Sequence, residues 1–369
     1  MLYPLIRALL FALAPEPGHV LTLRLLDRAS KHRVFTDVLA KSWGRRVPQL
    51  PIELMGLRFD NPVGLAAGFD KDACALPALS ELGFGAIELG TVTPLPQEGN
   101  PKPRIFRIPS HSAIINRLGF NSVGISRFLQ NLKRHKSKTI LGINIGKNAQ
   151  TPASRAAEDY CSGLHSVYDV ADYVTINISS PNTAGLRELQ GIEHLDDLLK
   201  TLKRDQTHLA DKHGRYVPLA VKIAPDLDAT EIAMMAACLI RNAIDCVIAT
   251  NTTVQRPDLA GALEAKIEGG LSGPPLRSLS TGVIKAFYDI FQGEIPIIGV
   301  GGVDSAEAAW EKLEAGAEMV QLYTSLIYQG PAVIEKIVSG LMDRTSAVEA
   351  GTLSQTLAKI RSGHLQQPC

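Results

Sequence analysis

The chain has 369 residues, 45% of them hydrophobic and 20% charged, so it can bury a large core and is neither disordered nor low in complexity. Lys and Arg number 38 against 37 Asp and Glu, a net charge of +1 that argues against a globally electrostatic partner such as nucleic acid and leaves only local basic patches. Five widely spaced cysteines (Cys74, Cys161, Cys238, Cys246 and Cys369) form no C-x-x-C, which argues against a disulfide framework or zinc site and for a reducing compartment.

The first element is apolar apart from Arg7: MLYPLIRALLFALAP, residues 1–15, is too short to cross a bilayer, which takes about 20 residues. After a break at EPGHV comes LTLRLLDRASKHRVF, amphipathic and carrying Arg24, Arg28, Lys31 and Arg33. Through residue 46 there are eight Lys or Arg against three acids (Glu16, Asp27, Asp37), a local charge of +5. Two short helices, one greasy and one basic, describe a device that lies on an anionic membrane surface. A secretory signal ending at ALA is disfavoured because the extreme N-terminus lacks Lys or Arg and Arg7 breaks the apolar run. A mitochondrial presequence would want more Arg and Ser, and an ordinary helical cap on the following domain is the remaining alternative.

From residue 62 a rhythm repeats without repeating its letters: an apolar run rich in Val, Ile and Gly, a polar turn, then an amphipathic stretch. The runs are 62–68, 86–92, 139–146, 173–180, 219–224, 246–251, 295–302 and 319–324. Continuous rather than alternating apolar character marks strands buried on both faces. Helices are expected between them, for example over 229–242 and over 305–316, the latter opening on a Ser cap and closing on Gly. Eight strand-helix beats predict an α/β fold, a (β/α)8 TIM barrel, with a doubly wound open sheet as the competing topology. The glycosylation-like triplets at Asn177 and Asn251 end apolar runs with no export signal ahead of them and read as chance matches.

In such a barrel the C-terminal ends of the strands face the catalytic mouth. Those ends carry Ala67, Gly68 and Lys71; Thr91; Asn144; Asn177 and Ser180; Lys222; Thr250, Asn251 and Thr252; Gly301 and Gly302; Tyr323 and Thr324. With no His and no carboxylate pair among them, a glycosidase acid pair, a His-based triad and a His/Asp metal site all lose support. Gly301 and Gly302 after the seventh run, Thr324 and Ser325 after the eighth, and GGLSG at 269–273 suit a phosphate held on backbone N–H groups, against the plainer reading of tight turns. Lys222, inside AVKIA, could be a Schiff-base nucleophile, a partner for a cofactor anion or a rim residue. Lys71 could pair with Asp70 or Asp72, or meet a substrate carboxylate.

Taken together, NPVGLAAGFDKD, ELGTVTPLPQEGNPKPRIFR, INRLGFNSVG, LGINIGKN, INISSPNTAGLR, VKIAPDL, IATNTT, GGLSGPPL, IIGVGGVDS and VQLYTSLIY closely resemble the dihydroorotate dehydrogenases, from about residue 1 to 342. That resemblance implies an FMN-binding (β/α)8 barrel of pyrimidine biosynthesis. It implies FMN contacts from Ala67, Gly68, Lys71, Thr91, Asn144, Asn177, Lys222, Thr250, Gly273, Gly302, Tyr323 and Thr324. It also implies dihydroorotate contacts from Lys71, Asn116, Arg117, Leu118, Gly119, Phe120, Asn177, Asn182, Asn251 and Thr252. Asparagines suit a ring with amide-like edges, and Lys71 can neutralise its carboxylate.

The resembled family divides at its catalytic base, cysteine in the soluble class and serine in the membrane-associated class; here the matching residue is Ser180. In the resembled chemistry this base removes the C5 proton of dihydroorotate while a hydride leaves C6 for the flavin N5, and a quinone, ubiquinone in kind, takes the electrons. A serine hydroxyl is a poor base without help, and Thr183 or an ordered water is a candidate relay. The serine class carries an N-terminal extension through which quinone enters, and His19, Arg107 and Tyr323 match positions associated with that site. The resemblance thus implies a helical membrane and quinone-access segment over 1–46 and a catalytic barrel over 47–342, at the cytoplasmic face of a bacterial inner membrane; the tail over 343–369 is polar, lacks a strong period, departs from the family pattern and reads as an appendage without an assigned role. Three alternatives remain: a related FMN barrel with a soluble acceptor, a Lys222 Schiff-base aldolase, and a non-catalytic membrane-bound scaffold.

Overall fold

Eight parallel strands close on themselves in chain order in the structure, a computed structural model that describes residues 3–133, 139–182, 191–259, 263–348 and 351–362. They are β1 (Val63–Leu65), β2 (Ala86–Val92), β3 (Ile140–Ile145), β4 (Tyr173–Asn177), β5 (Leu219–Ile223), β6 (Cys246–Ala249), β7 (Ile297–Val300) and β8 (Met319–Leu322). The pairing of Val320 with Val63 joins the last strand to the first, which rules out the open doubly wound sheet. Each strand falls inside one of the eight predicted runs. Every residue of these strands except Ile140 is buried, because the interior fills one face and helices cover the other.

The two expected helices form at Ala229–Arg241 and Ala306–Glu314. The first opens on a capping box in which Asp228 accepts from the Glu231 N–H while the Glu231 carboxylate reaches back to the Asp228 N–H. Ser305 caps the second by accepting from the Ala308 N–H at 3.1 Å.

Before the barrel come three helices, not two: α1 (Tyr3–Ala12), α2 (Pro15–Ser30) and α3 (Arg33–Ser42). The expected break at 16–20 is helical. Pro15 and Pro17 lie in the first turn of α2, where a missing N–H costs no intrahelical bond, so they start the helix instead of interrupting it. Arg7, which looked like a flaw in an apolar run, donates to the Tyr328 carbonyl at 2.8 Å, and the Tyr3 hydroxyl donates to the Ile327 carbonyl at 2.6 Å. The Tyr3 ring lies so close to Gly330 that a Cβ there would meet it at 2.4 Å, and Gly330 also has a φ of +76°. Among the described residues no helix is long and apolar enough to cross a membrane.

Two small antiparallel sheets were not foreseen. One is the hairpin of Ile52–Leu54 with Leu57–Phe59. The other joins Ile105–Ile108, Ala113–Asn116 and Gly270–Ser272, so that excursions after β2 and β6 meet beside the barrel mouth. Helix Ala332–Ser346 runs across the expected boundary at 342. The tail, expected to lack a period, holds a further helix, Leu353–Arg361, opened by a Thr352/Gln355 capping box and tied down by Arg361, whose Nη1 meets Glu318 at 2.7 Å. Cys369 lies outside the described residues.

Candidate active site

A cavity of about 490 Å³ occupies the C-terminal mouth of the barrel, bounded below by strand ends and on one side by α1 and α2. Ala67, Gly68 and Lys71 reach it from β1, Thr91 from β2, and Asn177, Ser180 and Asn182 from β4. Lys222, Thr250, Asn251 and Thr252 line it from β5 and β6, and Gly301, Gly302, Tyr323 and Thr324 from β7 and β8. Asn116, Leu118, Gly119, Phe120 and Gly273 come from the three-stranded sheet and the turns around it, and His19 and Arg107 from the side of the helical segment.

Two of the expected contact residues do not line this space. Asn144 lies behind it, accepting from Thr91 Oγ1 at 2.5 Å and from Asn177 Nδ2 at 3.2 Å. The Arg117 side chain turns outward, donating to the Pro103 carbonyl and lying over the Phe106 ring at 5.5 Å, because its backbone is held by the sheet edge.

The amides form two hydrogen-bonded sets. Asn177 Nδ2 donates to Thr91 Oγ1 at 3.0 Å, Ser179 Oγ donates to Asn177 Oδ1 at 3.1 Å, and Asn251 Nδ2 donates to Ser179 Oγ at 3.0 Å. Asn182 Nδ2 donates to the Asn116 carbonyl at 3.1 Å, while Asn100 Nδ2 donates to both the Arg117 and the Asn182 carbonyls. Asn100 therefore braces the loop after β4 against the loop at 116–120. Such a fixed network decides which edge of each amide is a donor and which an acceptor.

Ser180, 6% exposed, receives the Asn182 N–H on its Oγ at 3.3 Å, a contact that favours negative charge building on that oxygen. Thr183, the candidate relay, lies outside the described residues. Lys71 donates to Asn121 Oδ1 at 3.1 Å, and burial pulls its ammonium down to about 8. The loop bearing Lys71 is fixed by Asp70, which accepts from the Ala75 and Cys74 N–H groups at 2.7 and 2.9 Å.

Toward α2, His19 packs edge-on against Phe69 at 5.2 Å, and Phe69 against Tyr323 at 5.8 Å, an aromatic path from the helical segment to the strand ends. Burial holds the His19 imidazole below its ordinary value and raises Tyr323 to about 12, so both stay neutral near neutral pH. Arg107 donates to the Phe11 and Leu10 carbonyls at the end of α1 and lies over the Phe11 ring at 4.3 Å.

The model of the family described as dihydroorotate dehydrogenase matches residues 49–345. The chain belongs to the dihydroorotate dehydrogenase family. A relative from Chromobacterium violaceum named dihydroorotate dehydrogenase (quinone) is 56% identical over 334 residues, covering 90% of this chain and 96% of that one. A Burkholderia cenocepacia protein of the same name is 52% identical over 346 residues, 94% and 99% of the two chains. Among solved structures, the Eimeria tenella DHODH in complex with ferulenol superposes with a TM-score of 0.84 at 36% identity, covering 95% of this chain and 96% of that one.

This family is flavin-dependent, and the strand ends fit a phosphate-bearing flavin. At Gly301 and Gly302, with φ of +120° and +71°, a Cβ would come within 2.7 Å of Ser280 or Arg277, so the backbone itself faces the cavity there. Beside them the Ser325 hydroxyl, buried and lining the cavity, has no hydrogen-bond partner among the described residues. An anion seated at this spot would satisfy it.

Sequence reasoning missed Ser179, Asn100 and Glu88. Glu88 stands out in AIELGTV as a carboxylate in an otherwise apolar run, just as Lys222 does in AVKIA; two opposite charges in two buried strands signal an internal pair. Asn100 and Ser179 carried no comparable signal, because their partners are reached only through the folded loops.

Proposed function

We propose that this chain oxidises (S)-dihydroorotate to orotate for pyrimidine synthesis and passes the electrons to a membrane quinone, ubiquinone in kind, with FMN as its resident cofactor. The observation that carries this reading is one cavity lined by two differently built groups of residues. One group is Ser180, Asn116, Asn177, Asn182, Asn251 and Lys71; the other is His19 on α2, Arg107, which donates to the end of α1, and Tyr323, reached from His19 through Phe69.

Lys71 would meet the substrate carboxylate, and the amides of Asn177, Asn182 and Asn251 with Thr252 would fix the ring by its N–H and C=O edges. Ser180 Oγ would take the C5 proton, assisted by the Asn182 N–H that already points at it. Thr91, Asn177, Lys222 and Thr250 would hold the flavin ring, and Gly273, Gly302, Thr324 and Ser325 its phosphate. FMN, when bound, supplies the two-electron chemistry that links substrate to quinone. The aldolase and scaffold alternatives give way to family membership.

The helical segment over 1–46 would rest peripherally on the cytoplasmic face of the inner membrane, leaving 47–342 as the catalytic unit and 343–369 as an appendage. Eight of the fifteen large hydrophobic side chains exposed among the described residues lie on α1–α3 and a ninth, Leu13, lies between α1 and α2, with Leu9, Val34 and Leu5 at 74%, 73% and 66% exposure, which supports a lipid-facing surface. The test is an anaerobic spectrum of the purified protein. Flavin absorbance should bleach on adding dihydroorotate and return on adding a ubiquinone analogue; a protein without flavin absorbance, or one whose flavin dihydroorotate leaves oxidised, overturns the reading.

A further inference from the structure

Glu88, in the middle of β2, has no exposure and lies below the cavity without lining it. Its Oε1 accepts from Asn144 Nδ2 at 2.8 Å, and its Oε2 accepts from Gln321 Nε2 at 2.9 Å and from the Tyr173 hydroxyl at 3.2 Å. Three neutral donors from β3, β8 and β4 therefore hold the carboxylate. Lys222 Nζ stands 4.0 Å from Oε1 and makes no hydrogen bond among the described residues. This lysine is 5% exposed, and what it does expose faces the cavity.

That arrangement separates two things an ion pair usually combines. The field of the carboxylate reaches the ammonium, but its hydrogen bonds are made to other donors and Lys222 Nζ at 4.0 Å is beyond hydrogen-bond reach, so the lysine's charge is balanced at a distance without its being clamped. Burial alone pulls the lysine down toward loss of its proton, and Glu88 pushes it back up. The other titratable groups facing the cluster, Tyr173 and Cys246, are raised by burial and further by Glu88, and stay protonated and neutral.

We infer that Glu88 is a positioning residue for Lys222: it keeps the ammonium charged and leaves it free to face an electron-rich ring on the cavity floor, so that Glu88 sets how readily that ring accepts electrons. This rests on the flavin reading above. A second consequence follows from Asn144: because its Nδ2 is committed to Glu88, its Oδ1 is turned toward Thr91 and Asn177, which fixes the amide network on the cavity side.

The experiment measures the midpoint potential of the bound flavin against pH in the full-length protein, Glu88→Gln, Lys222→Met and the double variant. Lys222→Met is expected to lower the potential by at least the equivalent of a tenfold loss of preference for the reduced ring, about 30 mV for a two-electron couple. Glu88→Gln should approach that value at alkaline pH and recover toward the parent as pH falls and Lys222 regains its proton. In the Lys222→Met background the Glu88 substitution should have no further effect. A Glu88→Gln protein with the potential and pH profile of the parent overturns the inference, as does an equal shift with and without Lys222. If Glu88→Gln alone does not fold, the double variant, which removes both charges, is expected to fold with the potential of Lys222→Met; its failure to fold also overturns the inference. A parent protein that binds no flavin overturns the earlier reading and takes this one with it.

Discussion

Arg104 grips Glu16 with two donors, Nη2 at 2.7 Å and Nε at 3.1 Å from Oε1, across the junction between α2 and the excursion after β2. The same guanidinium donates to the Glu98 and Asn100 carbonyls, so the first turn of α2 and the brace at Asn100 share one side chain. Burial would raise the Glu16 carboxyl, but the hydrogen bonds and charge of Arg104, with Lys102 adding to them, hold it below its ordinary 4.5. The folded value is depressed, so this contribution is complete above 4.5 and is lost as pH falls through the lower folded value. Glu16→Gln is expected to weaken the docking of α2 by about 1–2 kcal/mol, less than a fully buried pair because Glu16 touches solvent. Hydrogen exchange should then quicken about tenfold across Pro15–Ser30. Unchanged exchange there would show that the apolar contacts of α2 hold it unaided.

Ser180→Ala should slow flavin reduction by dihydroorotate by about 10²–10⁴-fold in stopped flow, the usual worth of a positioned base. Orotate affinity should change little, because the amides and Lys71 remain in place.

Ser179 does not line the cavity, yet it joins Asn177 to Asn251. Replacing it by Ala removes the group that orients both amides, at about 1–2 kcal/mol. The loss should appear as a roughly tenfold rise in KM for dihydroorotate with a smaller change in kcat.

The depressed Lys71 ammonium sets an alkaline limit. The charged form binds a carboxylate, so kcat/KM for dihydroorotate is expected to fall as pH rises through about 8. Lys71→Met should have a low kcat/KM without that break; a break persisting in the variant would assign it to another group.

Leu9 and Val34 are 74% and 73% exposed, so Leu9→Glu with Val34→Glu should leave the fold and dihydroorotate-driven flavin reduction intact. Cosedimentation with anionic vesicles should drop severalfold. Undiminished pelleting would exclude this face as the one that meets lipid.

The eight barrel strands were legible because strands covered on both faces must be apolar throughout, and none of the runs from 62–68 to 319–324 is missing from the barrel. The glycines at 301 and 302 were legible for a similar reason, since few other residues accept their backbone. Less was readable where a residue acts through distant partners. The strand Gly270–Ser272 pairs with Ala113–Asn116 from far along the chain, and neither segment has a pattern that names the other. At α2, prolines that usually break a helix start one instead, a distinction that depends on position within the turn.

The short helix Thr324–Gln329 has its first residues at the cavity and its last carbonyls in the grip of Tyr3 and Arg7. Its two ends thus answer to two different environments, one to the cavity at the strand ends and the other to the N-terminal helix α1. Trimming the N-terminus to obtain an easier protein would bare the Ile327 and Tyr328 carbonyls a few residues from the cavity, so the N-terminal helices and the barrel are better regarded as one architectural unit than as an appendage and its core.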